Sequence, residues 1–64
     1  MKNSVKERRK LLKMTQEEFG DLIGVSRQTI NAIEKEKFDP SLPTAFKMAE
    51  LFQCAIEELF EFER

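Results

Sequence analysis

Arg27, Gln28 and Asn31 stand together in one short stretch, RQTINAIE. Each ends in a planar group whose hydrogen-bonding atoms sit at fixed spacing. Arginine pairs bidentately with the O6 and N7 of guanine, and glutamine or asparagine with the N6 and N7 of adenine. Ala32, beside them, adds a small apolar surface of the kind that meets a thymine methyl. Such a set reads base edges if one rigid element holds it on one face. Other chemistry has little to work with. The chain has no histidine and one cysteine, Cys54, so imidazole acid–base catalysis and a zinc site are both out of reach. The carboxylates are many, but they fall on helix faces expected to be exposed, with no pocket around them. Cys54 has no partner in the chain and reads as a small buried or half-buried thiol. No enzyme activity, metal or cofactor is expected.

The element that must hold these residues is legible from its own ends. In TQEEFGDLIGVSRQTINAIE, Thr15 and Glu18 have the spacing of a capping box, which starts a helix. Phe19, Leu22 and Ile23 give that helix an apolar stripe, and Gly24 ends it in the left-handed conformation. Gly20, mid-helix, costs about 1 kcal/mol against alanine, and close approach of another helix is the expected offset. Val25 anchors the turn and Ser26 caps the next helix. With Ile30 and Ile33 pointing in, a step of about 100° per residue sends Gln28, Asn31, Ala32 and Lys35 outward, with Arg27 and Thr29 on the flanks. Residues of about 15–35 thus form two helices joined by a tight turn, a geometry that lays the second helix in the DNA major groove. Thr15, Gln16, Ser26, Thr29, Lys35 and Lys37 are the expected phosphate contacts, which position without specifying sequence.

Three further helices complete an all-α reading. The first covers about 4–12, capped by Asn3 or Ser4, with Val5, Arg9 and Leu12 on one face. An arginine on an apolar face needs a carboxylate partner, and Glu34 is the candidate. After KEKFDPSLPT, in which Phe38 is expected to plug the core, a fourth helix runs over about 42–52. Its inward residues are Leu42, Ala45, Met48, Ala49 and Phe52, with Leu51 opposite. A short fifth helix covers about 56–60, with Leu59 and Phe60 in the core. The alternation of Phe62 with Glu61 and Glu63 reads as a short extended tail. Lys13, Glu36 and Gln53 stand at helix ends where glycine or asparagine is more usual.

The 64 residues allow one domain, 1–64, with a thin core. There is no secretory signal and no apolar run near 18 residues, so a cytoplasmic protein with no membrane partner is expected. Net charge is −1, low for a DNA binder, yet residues 1–13 are strongly basic and 50–64 strongly acidic. This reads as a dipole whose acidic end faces away from DNA. Weak phosphate neutralisation favours a dimer using two half-sites. Leu51, Ile56 and Phe62, the apolar residues left over late in the chain, are its expected interface.

The sequence resembles the Cro/repressor-type (XRE-family) helix-turn-helix transcriptional regulators. VKERRK, TQEEFGDLIGVSRQTINAIE, KFDPSL, AFKMAELF and IEELFEFE carry the resemblance across essentially the whole chain. It is nearest the minimal repressors of about this length, which carry no ligand-sensing domain, and no small-molecule ligand is evident. The resemblance implies a compact five-helix, lambda-repressor-like domain with a dimer contact near its last helix. It also implies binding of double-stranded DNA at a palindromic operator as a homodimer, and it supports the Arg9–Glu34 pair. A protein-interaction module on the same scaffold, such as an antitoxin or adaptor, is the alternative.

Overall fold

The computed structural model describes residues 1–62. Glu63 and Arg64, part of the acidic C-terminal run and its expected tail, lie outside the described residues. The elements in chain order are β1 (Lys2–Asn3), α1 (Val5–Leu11), α2 (Gln16–Ile23), α3 (Arg27–Glu34), α4 (Leu42–Phe52), α5 (Ile56–Leu59) and β2 (Phe60–Glu61).

Local sequence explains most of the boundaries. The Thr15 hydroxyl accepts from the Glu18 N–H while the Glu18 carboxylate accepts from the Thr15 N–H, so both halves of the capping box are formed. Ser26 and Ser41 cap α3 and α4 by accepting from the N–H groups of Thr29 and Thr44. Pro43 sits in the first turn of α4, where it displaces no hydrogen bond. At α1 the cap falls to Asn3, whose Oδ1 accepts from the Val5 N–H, while the Ser4 hydroxyl instead accepts from Arg8.

The helices pack around Val5, Phe19, Ile30, Ile33, Met48 and Leu59, all fully buried. Phe52 stacks on Phe19 with ring centroids 5.1 Å apart. Gly20 is buried as well, and its close approach is not to another helix. A Cβ there would collide with the Val25 carbonyl of the turn. The bare position admits the turn backbone, whose Val25 N–H donates to the Gly20 carbonyl at 2.8 Å.

Several apolar residues assigned inward lie outside. Leu22 is 64% exposed, because burial of Gly20 rotates the inward face of α2 away from it. Leu12 follows the end of α1, where helical spacing no longer governs direction, and is exposed. Leu42 opens α4, on the flank of the buried Ala45–Ala49 stripe, and is exposed too. Phe38 does not plug the core: it is exposed. The connection before α4 is secured instead by polar bonds, Lys37 N–H to the Ala32 carbonyl at 3.0 Å and the terminal ammonium to Asp39 at 2.8 Å.

The all-α reading needs one addition. The extended tail pairs antiparallel with the start of the chain, Lys2 opposite Glu61 and Asn3 opposite Phe60. The two ends of the molecule are therefore neighbours, and Lys2 Nζ lies 3.8 Å from Glu61. Sequence order had implied a basic end and an acidic end far apart. The fold instead folds part of one charge onto the other.

Candidate nucleic-acid interface

The candidate recognition surface is the outer side of α3. Ile30 and Ile33 are fully buried, which fixes the rotation of the helix. Arg27 and Gln28 are then exposed, and Asn31 and Ala32 half-buried. Gln16, at the start of α2, joins Arg27, Gln28 and Asn31 around a shallow concavity. Among the expected phosphate contacts, Thr15, Ser26, Lys35 and Lys37 are exposed and Thr29 is half-buried. The Thr29 and Ser26 hydroxyls lie 2.9 Å apart, each within reach of the other.

Beneath this surface lies the ion pair. Arg9 Nε is 2.7 Å from Glu34 Oε2, and Nη2 is 3.2 Å from Oε1, a bidentate fork. The remaining guanidinium nitrogen, Nη1, donates to the Met14 carbonyl at 2.8 Å. Both side chains are less than a tenth exposed. Hydrogen bonding to Glu34 raises the Arg9 pKa above its already high ordinary value, against the opposing effect of burial. Arg9 thus ties α1, the approach to α2 and the end of α3 through one planar group.

Two supporting contacts had no strong signal in the sequence. Asn3 Nδ2 donates to the Ile33 carbonyl at 2.9 Å, a second bond to an oxygen that also accepts from the Glu36 N–H at 3.0 Å. An asparagine just ahead of a helix announces a cap, not a second bond to another helix. Gln16 Nε2 donates to Glu34 Oε1 at 3.0 Å and to Asn31 Oδ1 at 3.2 Å. Its amide hydrogens are therefore engaged within the protein. Its main-chain N–H lies in the first turn of α2, where helix N–H groups have no partner within the helix.

The expected interface residues are not alike. Leu51 and Ile56 are half-buried and pack against the protein's own core. Leu51 lines a cleft with Leu11, Leu12 and Phe52, whereas Phe62 follows β2 and is 73% exposed. Exposed apolar area also occurs at Leu11, Leu22, Leu42 and Phe46.

Two helices joined through a glycine-ended turn, the second presenting Arg27 and Gln28 on a buried footing of isoleucines, define a helix-turn-helix domain. The helix-turn-helix family matches residues 5–59, and the chain belongs to that family, of XRE type. Over 63 residues it is 54% identical to an HTH-type transcriptional regulator of Methanocaldococcus jannaschii, covering 98% of this chain and 96% of that one. It is 44% identical to the HTH-type transcriptional regulator YgzD of Bacillus subtilis, again covering 98% of this chain and 96% of the other. Its fold is similar to that of the P22 c2 repressor crystallised with a synthetic operator, with a TM-score of 0.84 and 27% identity over 92% of this chain and 89% of that one. The c2 DNA-binding domain in solution gives a TM-score of 0.75 at 25% identity, over 92% of this chain and 84% of the other. The chain is a DNA-binding transcriptional regulator of this family and not an enzyme. Among the described residues, no helix is long and apolar enough to cross a membrane.

Proposed function

We propose that this protein is a sequence-specific repressor that binds a palindromic operator in double-stranded DNA as a homodimer, residues 1–64 acting as one domain in the cytoplasm. The observation that carries the reading is the placement of Arg27 and Gln28, exposed on a helix whose opposite face is fully buried. Arg27, Gln28 and Asn31 contact base edges and Ala32 meets a thymine methyl. Thr15, Gln16, Ser26, Thr29, Lys35 and Lys37 surround them as phosphate contacts. The operator complex known for the similar P22 c2 repressor supports the same mode of docking.

Selection of bound duplexes from a random pool tests the reading. Gln28→Ala is expected to cost about 1–3 kcal/mol of binding and to relax preference at one base position. An unchanged site preference in that variant overturns the assignment.

The dimer follows from charge and size. A net charge of −1 neutralises few phosphates, and one short helix reads few bases, so two half-sites one DNA turn apart, about 34 Å, meet both needs. Leu51, Ile56 and Phe62 form its two-fold interface. Ile56→Glu is expected to give folded monomers that lose operator binding, seen by sedimentation and gel shift. A wild-type chain that stays monomeric at high micromolar concentration and still binds one half-site tightly refutes the dimer.

A further inference from the structure

We propose that Gln16 is a positioning residue that decides which half of the Asn31 amide faces the DNA, so that Asn31 reads a base edge that accepts a hydrogen bond. The proposal rests on the reading of Asn31 as a base contact.

The orientation is set from the core outward, one bond at a time. A guanidinium has only donors. Arg9 gives two of them to Glu34, at 2.7 Å and 3.2 Å. A carboxylate held in this fork only accepts. The Gln16 amide atom 3.0 Å from Glu34 Oε1 is therefore its nitrogen, not its oxygen. The same nitrogen lies 3.2 Å from the Asn31 amide and has one hydrogen left to donate there. Asn31 must answer with an acceptor, so its Oδ1 turns inward to Gln16. Its Nδ2 turns outward with both hydrogens, and among the described residues no protein acceptor takes them.

An amide side chain is otherwise close to indifferent to being turned over, since its two ends have nearly the same shape. Here polarity is passed from a buried cation to the surface through Arg9, Glu34, Gln16 and Asn31. The first bonds in the series are charge-assisted and the strongest. They are also the most buried, with side-chain exposures of 9% for Arg9 and 3% for Glu34. The series ends in the concavity that Gln16 and Asn31 share with Arg27 and Gln28.

The chemical consequence is a choice among bases. A free asparagine pairs with adenine by giving to N7 and accepting from N6. With Oδ1 already engaged by Gln16, the accepting half of that pairing is weakened. An outward Nδ2 suits guanine best, since both O6 and N7 accept. It also suits thymine O4 and adenine N7 singly, and it finds nothing to give to on cytosine, whose edge offers a donor.

Site selection from a random duplex pool, with the full chain as wild type, Asn31→Ala and Gln16→Ala, tests this. Asn31→Ala identifies the position that Asn31 reads, as the one whose preference is lost. In the wild type, cytosine is expected to be disfavoured there. Gln16→Ala frees the Asn31 amide to turn over, and preference at that same position is expected to fall by about fivefold, the worth of one hydrogen bond, with the other positions kept. Uniform weakening in Gln16→Ala, with every preference intact, overturns the proposal and leaves Gln16 a phosphate or packing residue. An unchanged profile in Asn31→Ala removes the underlying base contact, a distinguishable failure. A measurement on the free wild-type protein does not depend on how the variants fold. In its NMR spectrum the Gln16 side-chain NH2 hydrogens are expected to exchange slowly with water and those of Asn31 quickly. The reverse order overturns the proposal.

Discussion

The two ends of the recognition helix are built in opposite ways. At the C-terminal end of α3 the Ile33 carbonyl is bonded by Asn3, and Glu34 by Arg9 and Gln16. At the N-terminal end the anchor is the Ser26 cap, and Arg27 and Gln28 beyond it are exposed. An eight-residue helix is too short to hold itself together in water, so it must be gripped from outside. Gripping it at one end leaves the other exposed. Long exposed side chains lose rotamer freedom on binding, at about 0.5–1.5 kcal/mol each, whereas Asn31 is already bonded into its orientation. The difference separates a fixed part of the α3 surface from an adaptable one.

The grip on α3 depends most on Arg9. Arg9→Met keeps the aliphatic bulk but leaves the buried Glu34 carboxylate without its cation. Loss of about 3–5 kcal/mol is expected, much of the stability of so small a domain, and chemical denaturation measures it. Arg9→Met/Glu34→Leu, which removes both charges, is expected to recover most of that loss. If Arg9→Met melts like the wild type, the pair is a surface contact worth about 0–1 kcal/mol, and the C-terminal end is not gripped as described.

A smaller effect is expected at the other end. Ser26→Ala removes the hydroxyl that accepts from the Thr29 N–H at 3.2 Å, and about 1 kcal/mol should be lost. Because that end is otherwise open, the damage should stay local. Amide exchange in the first turn of α3 is expected to quicken, with Ile33 and Glu34 unchanged. Faster exchange along the whole helix would mean that its two ends are not independent.

The same contrast separates what was legible in the sequence from what was not. Features that depend on neighbours a few residues away were legible: the Thr15–Glu18 box, Gly24, Ser26, and the buried isoleucines of α3. Arg9–Glu34 spans 25 residues, but the cost of an unpaired charge on an apolar face called for a carboxylate, and the family resemblance supported Glu34. Contacts that depend on the packing of distant segments were not legible. Asn3 reaches Ile33 only because β1 pairs with β2. Leu22 is outside because Gly20 admits the turn backbone. Phe38 is exposed because polar bonds, and not an apolar plug, secure the connection between α3 and α4. At Gln16 the spacing marked a helix start, while its partners on α3 became visible only once the helices were docked.

The subtlest test lies just past the gripped end. Four helices close the same way, with a left-handed residue followed by an N–H that reaches back over the last turn. Those residues are Lys13, Gly24, Glu36 and Gln53, at φ of 57°, 76°, 63° and 55°. The returning bonds run from Met14, Val25, Lys37 and Cys54 to the carbonyls of Arg9, Gly20, Ala32 and Ala49. This closure favours glycine, yet only Gly24 is one. A side chain in this conformation costs roughly 1 kcal/mol, so Glu36→Gly should stabilise by up to about that much. Glu36 also puts a negative charge at the negative end of the α3 dipole, which adds to the gain, whereas Lys13→Gly gives up a favourable charge at the end of α1. The order of melting temperatures should therefore be Glu36→Gly above Lys13→Gly, with a rise of about 4–8 °C for a full 1 kcal/mol in a domain of this size. If Lys13→Gly gains as much as Glu36→Gly, the charge at the end of α3 contributes nothing, and backbone conformation alone sets the cost of ending these helices without glycine.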